Sequence, residues 1–172
     1  MAKKIAEFGP KLHFSLTRKT ANGDSVRGYT LAGGSSALGV FPTAETWAVT
    51  LPAGTRITSV KALPSGAIAS FGRVLGDKST LYKYLNPHLF AITTVADKEN
   101  RGGVKVVDEA SGSIIYEVSI DHIDVAQGVK AHIVENWLVY HWLEPQDGAG
   151  NGGWRMASVE LYEDRAEDKA QM

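Results

Sequence analysis

The sequence predicts an all-β fold. Short segments in which apolar and polar residues alternate recur along the 172 residues, with turn-forming residues between them. The 18 glycines are distributed over the chain, as many tight turns require. An asparagine precedes an apolar strand at Asn86 and again at Asn136. The spacing of this weak internal repeat is close to the ~40–50-residue period of a four-stranded propeller blade. Interpreted in this way, the chain holds two to three antiparallel blades, fewer than the ~4–8 that close a propeller, so it is either a different β fold or a piece of a larger one.

The N-terminal region is predicted to form a β-hairpin. In residues 11–20, three apolar residues alternate with polar ones, which is typical of a half-buried strand. Asn22-Gly23 is a strong signal for a tight hairpin turn. Residues 26–31 are then predicted to return as the partner strand.

The central region is predicted to alternate between strands and turns. Residues 32–44 are rich in Gly and Ser and are predicted to be a loop. Further strands are predicted at 46–51, 56–63 and 68–75. Gly72 lies inside the last of these and indicates a bulge or a close backbone approach. Residues 79–84 fit either a short helical turn or a strand.

The C-terminal half contains the clearest strand pattern, at residues 89–95. A polar loop is predicted at 97–103, and Asp108 to Gly112 have the composition of a hairpin turn. The remaining predicted strands are 104–107, 113–120, 131–134, 136–143 and 154–162, and the remaining long loop is 145–153. The charged residues from Glu163 onward are expected to fray.

These elements are predicted to belong to one β-rich region over residues 1–172. Its parts are N-terminal strands at 8–73, a junction motif at 74–87, blade-like repeats at 88–163 and a frayed tail at 164–172. The junction begins with the Gly76-Asp77 turn and ends with Asn86-Pro87. Asp77, Lys78 and Ser79 are interpreted as turn residues.

Composition excludes several classes of function. The net charge of −1 and the absence of a basic stripe argue against nucleic-acid binding. The chain has no cysteine, which removes disulfides, cysteine nucleophiles and thiolate metal sites. The N-terminus has no apolar signal-peptide core, and no run of about 18 apolar residues predicts a membrane span within this chain.

One cluster has the composition of a metal site. The run Asp121-His122-Ile-Asp124, with His132 and His141 downstream, offers two carboxylates and three imidazoles as ligands for a divalent cation. The competing interpretation is that Asp121 and Asp124 are turn residues and that the histidines lie on strand faces turned to solvent or to a blade edge. No pair of these residues has the local spacing of known metal motifs, so no metal ligand is assigned.

No residue is assigned to catalysis or to cofactor binding. Ser79, Ser111 and Ser119 lie outside any Gly-x-Ser-x-Gly setting, so a nucleophile elbow is not supported. The Gly-Gly-Ser-Ser run at 33–36 lacks the Lys-Ser/Thr and the helix of a phosphate-binding loop. We expect a protein that is not an enzyme and holds no cofactor.

The aromatic strand at 136–143 is predicted to carry large side chains on both faces. By alternation, Tyr140 and Trp142 share one face, while Trp137, Val139 and His141 share the other. Two such faces predict a strand that is buried on both sides, as packing between blades demands. A protein interface on one side fits the same pattern.

Five blocks of sequence resemble one known family. The longest is Val74-Leu-Gly-Asp-Lys-Ser-Thr-Leu-Tyr-Lys-Tyr-Leu-Asn-Pro87, and the others are 16–20, 108–115, 132–140 and 159–162. In order and spacing they resemble the late luminal region of subunit 1 of the endoplasmic reticulum membrane protein complex, in a fungal form. The resemblance runs from about Phe8 to Glu163, and the tail beyond it departs from the family pattern.

The resemblance implies a quinoprotein-like β-propeller and a non-catalytic scaffold on the luminal side of the endoplasmic reticulum membrane. The implied partners are other subunits of that complex and, indirectly, client membrane proteins during insertion and folding. The family's signal peptide, most of its propeller region and its membrane anchor have no counterpart in these 172 residues, so we expect a fragment. The alternative is a quinoprotein-like or sugar-binding propeller with a central ligand or metal site.

Overall fold

Twelve strands lie in residues 8–21, 23–32 and 40–163, the parts of the chain that the computed structural model describes. They are β1 (His13–Arg18), β2 (Ser25–Leu31), β3 (Thr43–Thr50), β4 (Thr55–Ala62), β5 (Gly72–Val74), β6 (Thr80–Tyr82), β7 (Leu89–Ala96), β8 (Arg101–Asp108), β9 (Ile114–Ile120), β10 (Val129–Val134), β11 (Trp137–Glu144) and β12 (Gly153–Glu160). Two single-turn 3-10 helices, Gly9–Lys11 and Asp97–Glu99, complete the described elements.

The strands form three larger antiparallel sheets and one small hairpin. Sheet I has the order β1-β2-β3, sheet II the order β4-β7-β8-β9, and sheet III the order β10-β11-β12. The β5–β6 pair, here called the insertion hairpin, lies in the connection between β4 and β7. Sheet II therefore pairs strands from both sides of the 74–87 segment.

Sheet II lies between sheets I and III because its strand β7 is buried on both faces. Leu89, Ala91 and Val95 belong to one apolar core, and Phe90 and Ile92 belong to another. The core between sheets II and III also contains Val104, Val106, Ile120, Ile123, Val129, Ala131, Ile133, Leu138 and Tyr140. The core between sheets I and II also contains Val26, Leu51, Ile57 and Val107. Full burial of each aliphatic side chain stabilises the fold by about 1.5–3 kcal/mol.

Trp47 of β3 fastens sheet I to sheet II. Its indole N–H donates to the Glu109 carbonyl oxygen at 2.8 Å, and its ring stacks on Phe90 with centroids 6.2 Å apart. The ring lies directly over Gly28, where an added Cβ would be 2.1 Å from the indole. Gly28 therefore permits Trp47 to lie flat on β2.

Asp24 makes a second link between the same sheets. Its carboxylate is buried and accepts a hydrogen bond from the Ile57 N–H of β4 at 2.8 Å. Its carbonyl oxygen accepts from the Leu51 N–H at 2.9 Å. One residue thus satisfies backbone donors at the end of sheet I and the start of sheet II.

The predicted all-β fold with two to three blade-like sheets is confirmed. Among the described residues, one of these sheets has four strands and two have three. Residues 79–84 contain strand β6, and the single-turn helices lie at Gly9–Lys11 and Asp97–Glu99 instead. Of the predicted strand at 68–75, only Gly72–Val74 is a strand.

Two other boundaries differ from the prediction. The loop predicted at 97–103 was wrong in its second half, because β8 begins at Arg101 and includes both glycines of the pair. Gly102 lies against sheet III, where an added Cβ would be 2.4 Å from Val129 Cγ2, so the glycine marks close packing rather than a turn. Asn136 belongs to the β10–β11 turn instead of the strand.

Some predictions concern residues outside the described ranges. Asn22 of the predicted Asn22-Gly23 turn, the Gly- and Ser-rich residues 33–39 and the tail 164–172 all belong to this group. The hairpin that Asn22 would close is present, because β1 pairs with β2 from His13 opposite Thr30 to Arg18 opposite Ser25.

Candidate interaction surfaces

The two acids of the predicted metal cluster have other partners. Asp121 forms an ion pair with Arg101, whose Nε lies 2.7 Å from the carboxylate. The Asp124 carboxylate accepts the backbone N–H groups of Ala126 and Gln127 at 2.8 and 3.1 Å. Asp124 therefore stabilises the turn before β10, as the competing interpretation predicted.

The two downstream histidines lie on strands of sheet III. His132 is exposed on β10, and the His141 ring of β11 contacts Trp154 with centroids 5.4 Å apart. In the described part of the chain, no three His, Asp or Glu side chains are grouped closely enough to hold a metal ion. The structure therefore does not bring the candidate residues together as a ligand set.

A hollow of about 640 Å³ lies beside Asp124 and the loop after β11. Its Asp147 carboxylate accepts hydrogen bonds from the Ala149 and Asn151 N–H groups and from the Asn151 side-chain amide. The Asn151 bonds are the main cause that lowers the pKa of Asp147. The carboxylates of Asp124 and Asp147 therefore stabilise the turns in which they lie.

The inward face of sheet III packs against sheet II. Leu138 and Tyr140 are buried in the shared core, and Tyr140 stacks on Trp142 with centroids 5.9 Å apart. The Tyr140 hydroxyl lies 3.3 Å from the Tyr116 hydroxyl of β9. Burial raises the pKa of Tyr140 to about 12, and the hydrogen bond with Tyr116 contributes to the shift.

The outward face of sheet III is exposed, contrary to the prediction that β11 is buried on both sides. The cross-strand register places Val134, Trp137 and Met156 on this face together with Trp154. These four side chains are 40–75% exposed. The alternation was predicted correctly, but no further sheet covers this face among the described residues. We call these four residues the sheet III patch.

The insertion hairpin exposes a second set of apolar side chains. Phe71, Val74 and Tyr82 are 57–72% exposed, and we call them the hairpin patch. The cross-strand register places Val74 and Tyr82 on the same face of the hairpin, whereas Phe71 directly precedes β5. The turn of the hairpin is built by Asp77, whose carboxylate accepts the Ser79 N–H at 3.0 Å and the Ser79 hydroxyl at 2.6 Å. Asp77 and Ser79 are therefore turn residues, as predicted.

The base of the insertion hairpin is held by sheet III and the segment after β12. The Lys83 ammonium lies 2.8 Å from the Glu135 carboxylate, and this contact is the main cause that lowers the pKa of Glu135. The Tyr84 N–H donates to the Leu161 carbonyl oxygen at 3.0 Å. The Glu163 N–H donates to the Tyr82 carbonyl oxygen at 2.9 Å, so the hairpin is fixed on both sides of Lys83.

Asn136 completes this junction from inside the protein. It is fully buried, its side-chain amide donates to the Leu161 carbonyl oxygen at 3.0 Å, and its own carbonyl oxygen accepts the Leu161 N–H at 2.8 Å. The sequence showed Asn136 only as an asparagine before a strand. Its role depends on a residue 25 positions away, which no local pattern reveals.

An apolar groove of about 300 Å³ lies between residues 63–68, which precede the insertion hairpin, and the end of β10. It is lined mainly by residues 63–68, Leu85, Pro87 and Val134. Val134 belongs both to the groove and to the sheet III patch, and residues 63–68 lie in the same β4–β7 connection as the hairpin patch. Exposed apolar residues are therefore concentrated between sheet III and this connection.

Comparison with known proteins gives consistent matches. The family model described as "ER membrane protein complex subunit 1, second beta-propeller" matches residues 2–172. The chain is 39% identical over 107 residues to ER membrane protein complex subunit 1 of Schizosaccharomyces pombe, covering 62% of this chain and 12% of the relative. It is 37% identical over 131 residues to the Xenopus laevis protein of the same name, covering 70% and 12%. The chain thus spans about one eighth of the length of these relatives. None of the described helices is long and apolar enough to cross a membrane.

Proposed function

The chain belongs to the family of ER membrane protein complex subunit 1, and we propose that it is a non-catalytic scaffold segment of that complex. In this role it binds other subunits on the luminal side of the membrane and so supports insertion and folding of client membrane proteins. The proposal extends to this chain what the family's name says of its relatives, which are subunits of a complex. The β-propeller description of the matched family agrees with the three packed sheets.

The observation that carries the proposal is the exposed yet firmly held hairpin patch. Three large apolar side chains are exposed on an element that is fixed at its base by the Lys83–Glu135 ion pair and by backbone hydrogen bonds. Because the backbone of the hairpin is held at its base, a partner that binds there orders less of the chain than one that binds a mobile loop, and so loses less conformational entropy. Exposed apolar patches of this kind mark protein interaction sites.

The polar residues support the same conclusion. The carboxylates of Asp121, Asp124 and Asp147 are each bound by a neighbouring side chain or by backbone N–H groups. These groups therefore stabilise turns and strand ends. The chemistry of the described surface favours binding a protein over transforming a small molecule.

The proposal can be tested in the full-length fission yeast relative. The matched region of that protein is replaced by this chain, and the complex is purified through a tag on another subunit. Phe71→Asp, Val74→Asp and Tyr82→Asp, combined, are expected to lower recovery of the chimera about tenfold or more, since buried aromatic anchors dominate interface energies. Ile114→Asp, an exposed apolar position on β9, is the matched control and is expected to leave recovery unchanged. Equal recovery of both variants would refute the assignment of the hairpin patch.

A further inference from the structure

A polar hollow of about 210 Å³ lies on the face of sheet II that is turned towards sheet I, and we call it the Thr94 hollow. Its floor is a single row of small residues across three strands. Thr94 of β7 is paired with Gly103 of β8, which is paired in turn with Ser119 of β9. Thr94 lies two residues after Ile92, which belongs to the core between sheets I and II, so the whole row is on that face. The β3–β4 connection lines the hollow from the side of sheet I.

The Thr94 hydroxyl is a buried polar group that opens into this hollow. Thr94 is only 6% exposed, and no hydrogen bond joins its hydroxyl to another of the described residues. An added Cβ at Gly103 would be 2.7 Å from Thr94 Oγ1, so the absence of a side chain at Gly103 leaves the hydroxyl accessible from the hollow. The large majority of buried polar groups in proteins have a hydrogen-bond partner. The partner of this hydroxyl therefore enters from outside the chain.

Two ion pairs flank the row of small residues. On one side, Lys105 of β8 lies opposite Glu117 of β9 and forms an ion pair with it. On the other side, the Arg101 guanidinium lies 2.8 Å from the Glu99 carboxylate. The hollow is thus lined by two bases and two acids, and a free anion or cation would meet repulsion as well as attraction there. The balance of charge favours a neutral occupant.

We propose that the Thr94 hollow binds a neutral, hydroxyl-rich small molecule of about the size of one pyranose ring. The Lys105–Glu117 pair presents a donor beside an acceptor, and two adjacent hydroxyl groups match both, because each hydroxyl donates and accepts. The Thr94 and Ser119 hydroxyls bond to further hydroxyls of the same ligand. At ~30 Å³ per water molecule, the hollow holds about seven waters, which is less than the ~300–1,000 Å³ of sites for drug-sized ligands. This site goes beyond the scaffold function, which depends on the hairpin patch.

The first test is a titration of the isotope-labelled chain, followed by amide NMR, with D-glucose, methyl α-D-glucoside and myo-inositol. We expect saturable shifts of the Gly103 and Ser119 amides and a dissociation constant of about 1–10 mM, since a ligand of about twelve non-hydrogen atoms makes few contacts. A response to the methyl glucoside shows that the terminal unit of a glycan fits, and a response to glucose or inositol alone assigns the site to a free polyol.

Two probes control for the chemistry of the ligand. Cyclohexanol has a ring of the same size with a single hydroxyl, and sodium phosphate is an anion that the balanced charges should reject. Neither is expected to give saturable shifts of the Gly103 and Ser119 amides. Shifts that do not saturate with any polyol, or that cyclohexanol or phosphate produces equally, would overturn the proposal.

The second test is Thr94→Val, which keeps the shape of the side chain and removes the hydroxyl. Because that hydroxyl has no partner within the described chain, the urea midpoint is expected to stay the same or rise, while binding weakens about tenfold. The matched control is Thr93→Val. The Thr93 hydroxyl is buried as well but lies 2.8 Å from the Thr58 hydroxyl, so this variant is expected to lose stability and to keep its affinity. An unchanged dissociation constant in Thr94→Val, or equal destabilisation of both variants, would refute the site.

Ser119→Ala gives a third variant at the exposed end of the row, where a substitution does not disturb the core. It is expected to weaken binding several-fold and to leave the urea midpoint unchanged, and full affinity in this variant would contradict the assigned role of Ser119. None of the hairpin patch residues lines the hollow, and no other subunit takes part in these measurements. Failure of the ligand site is therefore distinct from failure of the scaffold proposal.

Discussion

Substituting Gly28 with alanine tests whether the seam between sheets I and II is as tight as the structure indicates. The new Cβ would lie 2.1 Å from Trp47 Nε1 and Cε2, so the indole must move by more than 1 Å to restore normal contact. Gly28 does not have the positive φ that strains other residues, so the cost is steric. Overpacking of this kind destabilises by about 1–3 kcal/mol.

The reference substitution is Trp47→Ala, which removes the obstructing ring. It deletes the stack on Phe90 and the hydrogen bond to the Glu109 carbonyl oxygen. Tryptophan-to-alanine changes in cores cost about 3–5 kcal/mol, and partial exposure of Trp47 places it near the lower end. In the Trp47→Ala background, Gly28→Ala is expected to cost less than about 0.5 kcal/mol, because its Cβ then enters free space.

The measurement is urea unfolding followed by far-UV circular dichroism. All variants are measured at the same protein concentration, because any self-association would make the apparent stability depend on concentration. The double-mutant cycle is expected to show a coupling of about 1–3 kcal/mol between the two positions. Gly66→Ala is the control, since an added Cβ there meets nothing within 4 Å. Additive costs for Gly28→Ala and Trp47→Ala would refute a direct clash between the two side chains.

Three further predictions concern buried or paired polar groups. Asp24→Ala leaves the Ile57 N–H without its acceptor and is expected to cost about 1–3 kcal/mol in urea unfolding, whereas a neutral result would contradict that bond. Tyr140 has a folded pKa of about 12 against about 10 unfolded, so its stabilisation is complete below pH 10 and is lost as pH rises through 12. Between pH 10 and pH 12 the free energy of unfolding of the unmodified protein is expected to fall more steeply with pH than that of Tyr140→Phe, by about 1.4 kcal/mol per pH unit. Equal slopes for the two proteins would refute the raised pKa of Tyr140. Glu135→Gln removes the ion pair with Lys83 and is expected to speed amide hydrogen exchange in the insertion hairpin alone; unchanged exchange there would show that the pair does not hold the hairpin.

The fold class could be predicted because alternation and turn chemistry are local properties. Five of residues 89–95 are apolar and the other two are threonines, which favour strands, and the strand there is buried on both faces. The pairing of sheets was not predictable in the same way. β4 pairs with β7 across the insertion hairpin, and nothing in either strand's own sequence specifies a partner that far along the chain.

The glycine pair at 102–103 shows a different limit. Gly-Gly after a run of polar residues predicts a loop, yet both residues lie in β8. Val129 of β10 approaches too closely for a side chain at Gly102, and the Thr94 side chain of β7 approaches too closely for one at Gly103. The interaction surfaces were predicted in part. Alternation on β11 assigned Trp137 to one face and Tyr140 to the other, but which face is covered depends on the neighbouring sheet. The hairpin patch was missed because exposed apolar residues in a short strand have the same pattern as core residues.

The pairing of β4 with β7 has a consequence for synthesis of the chain. β4 ends at Ala62 and its partner β7 begins at Leu89, so β4 leaves the ribosome before the strand that pairs with it has been made. At about 5–20 residues per second, it waits roughly one to five seconds for β7. The insertion hairpin forms within microseconds during this interval, because its contacts are local. The nascent chain therefore presents β4 as an open strand edge to chaperones and to other nascent chains until translation reaches β7.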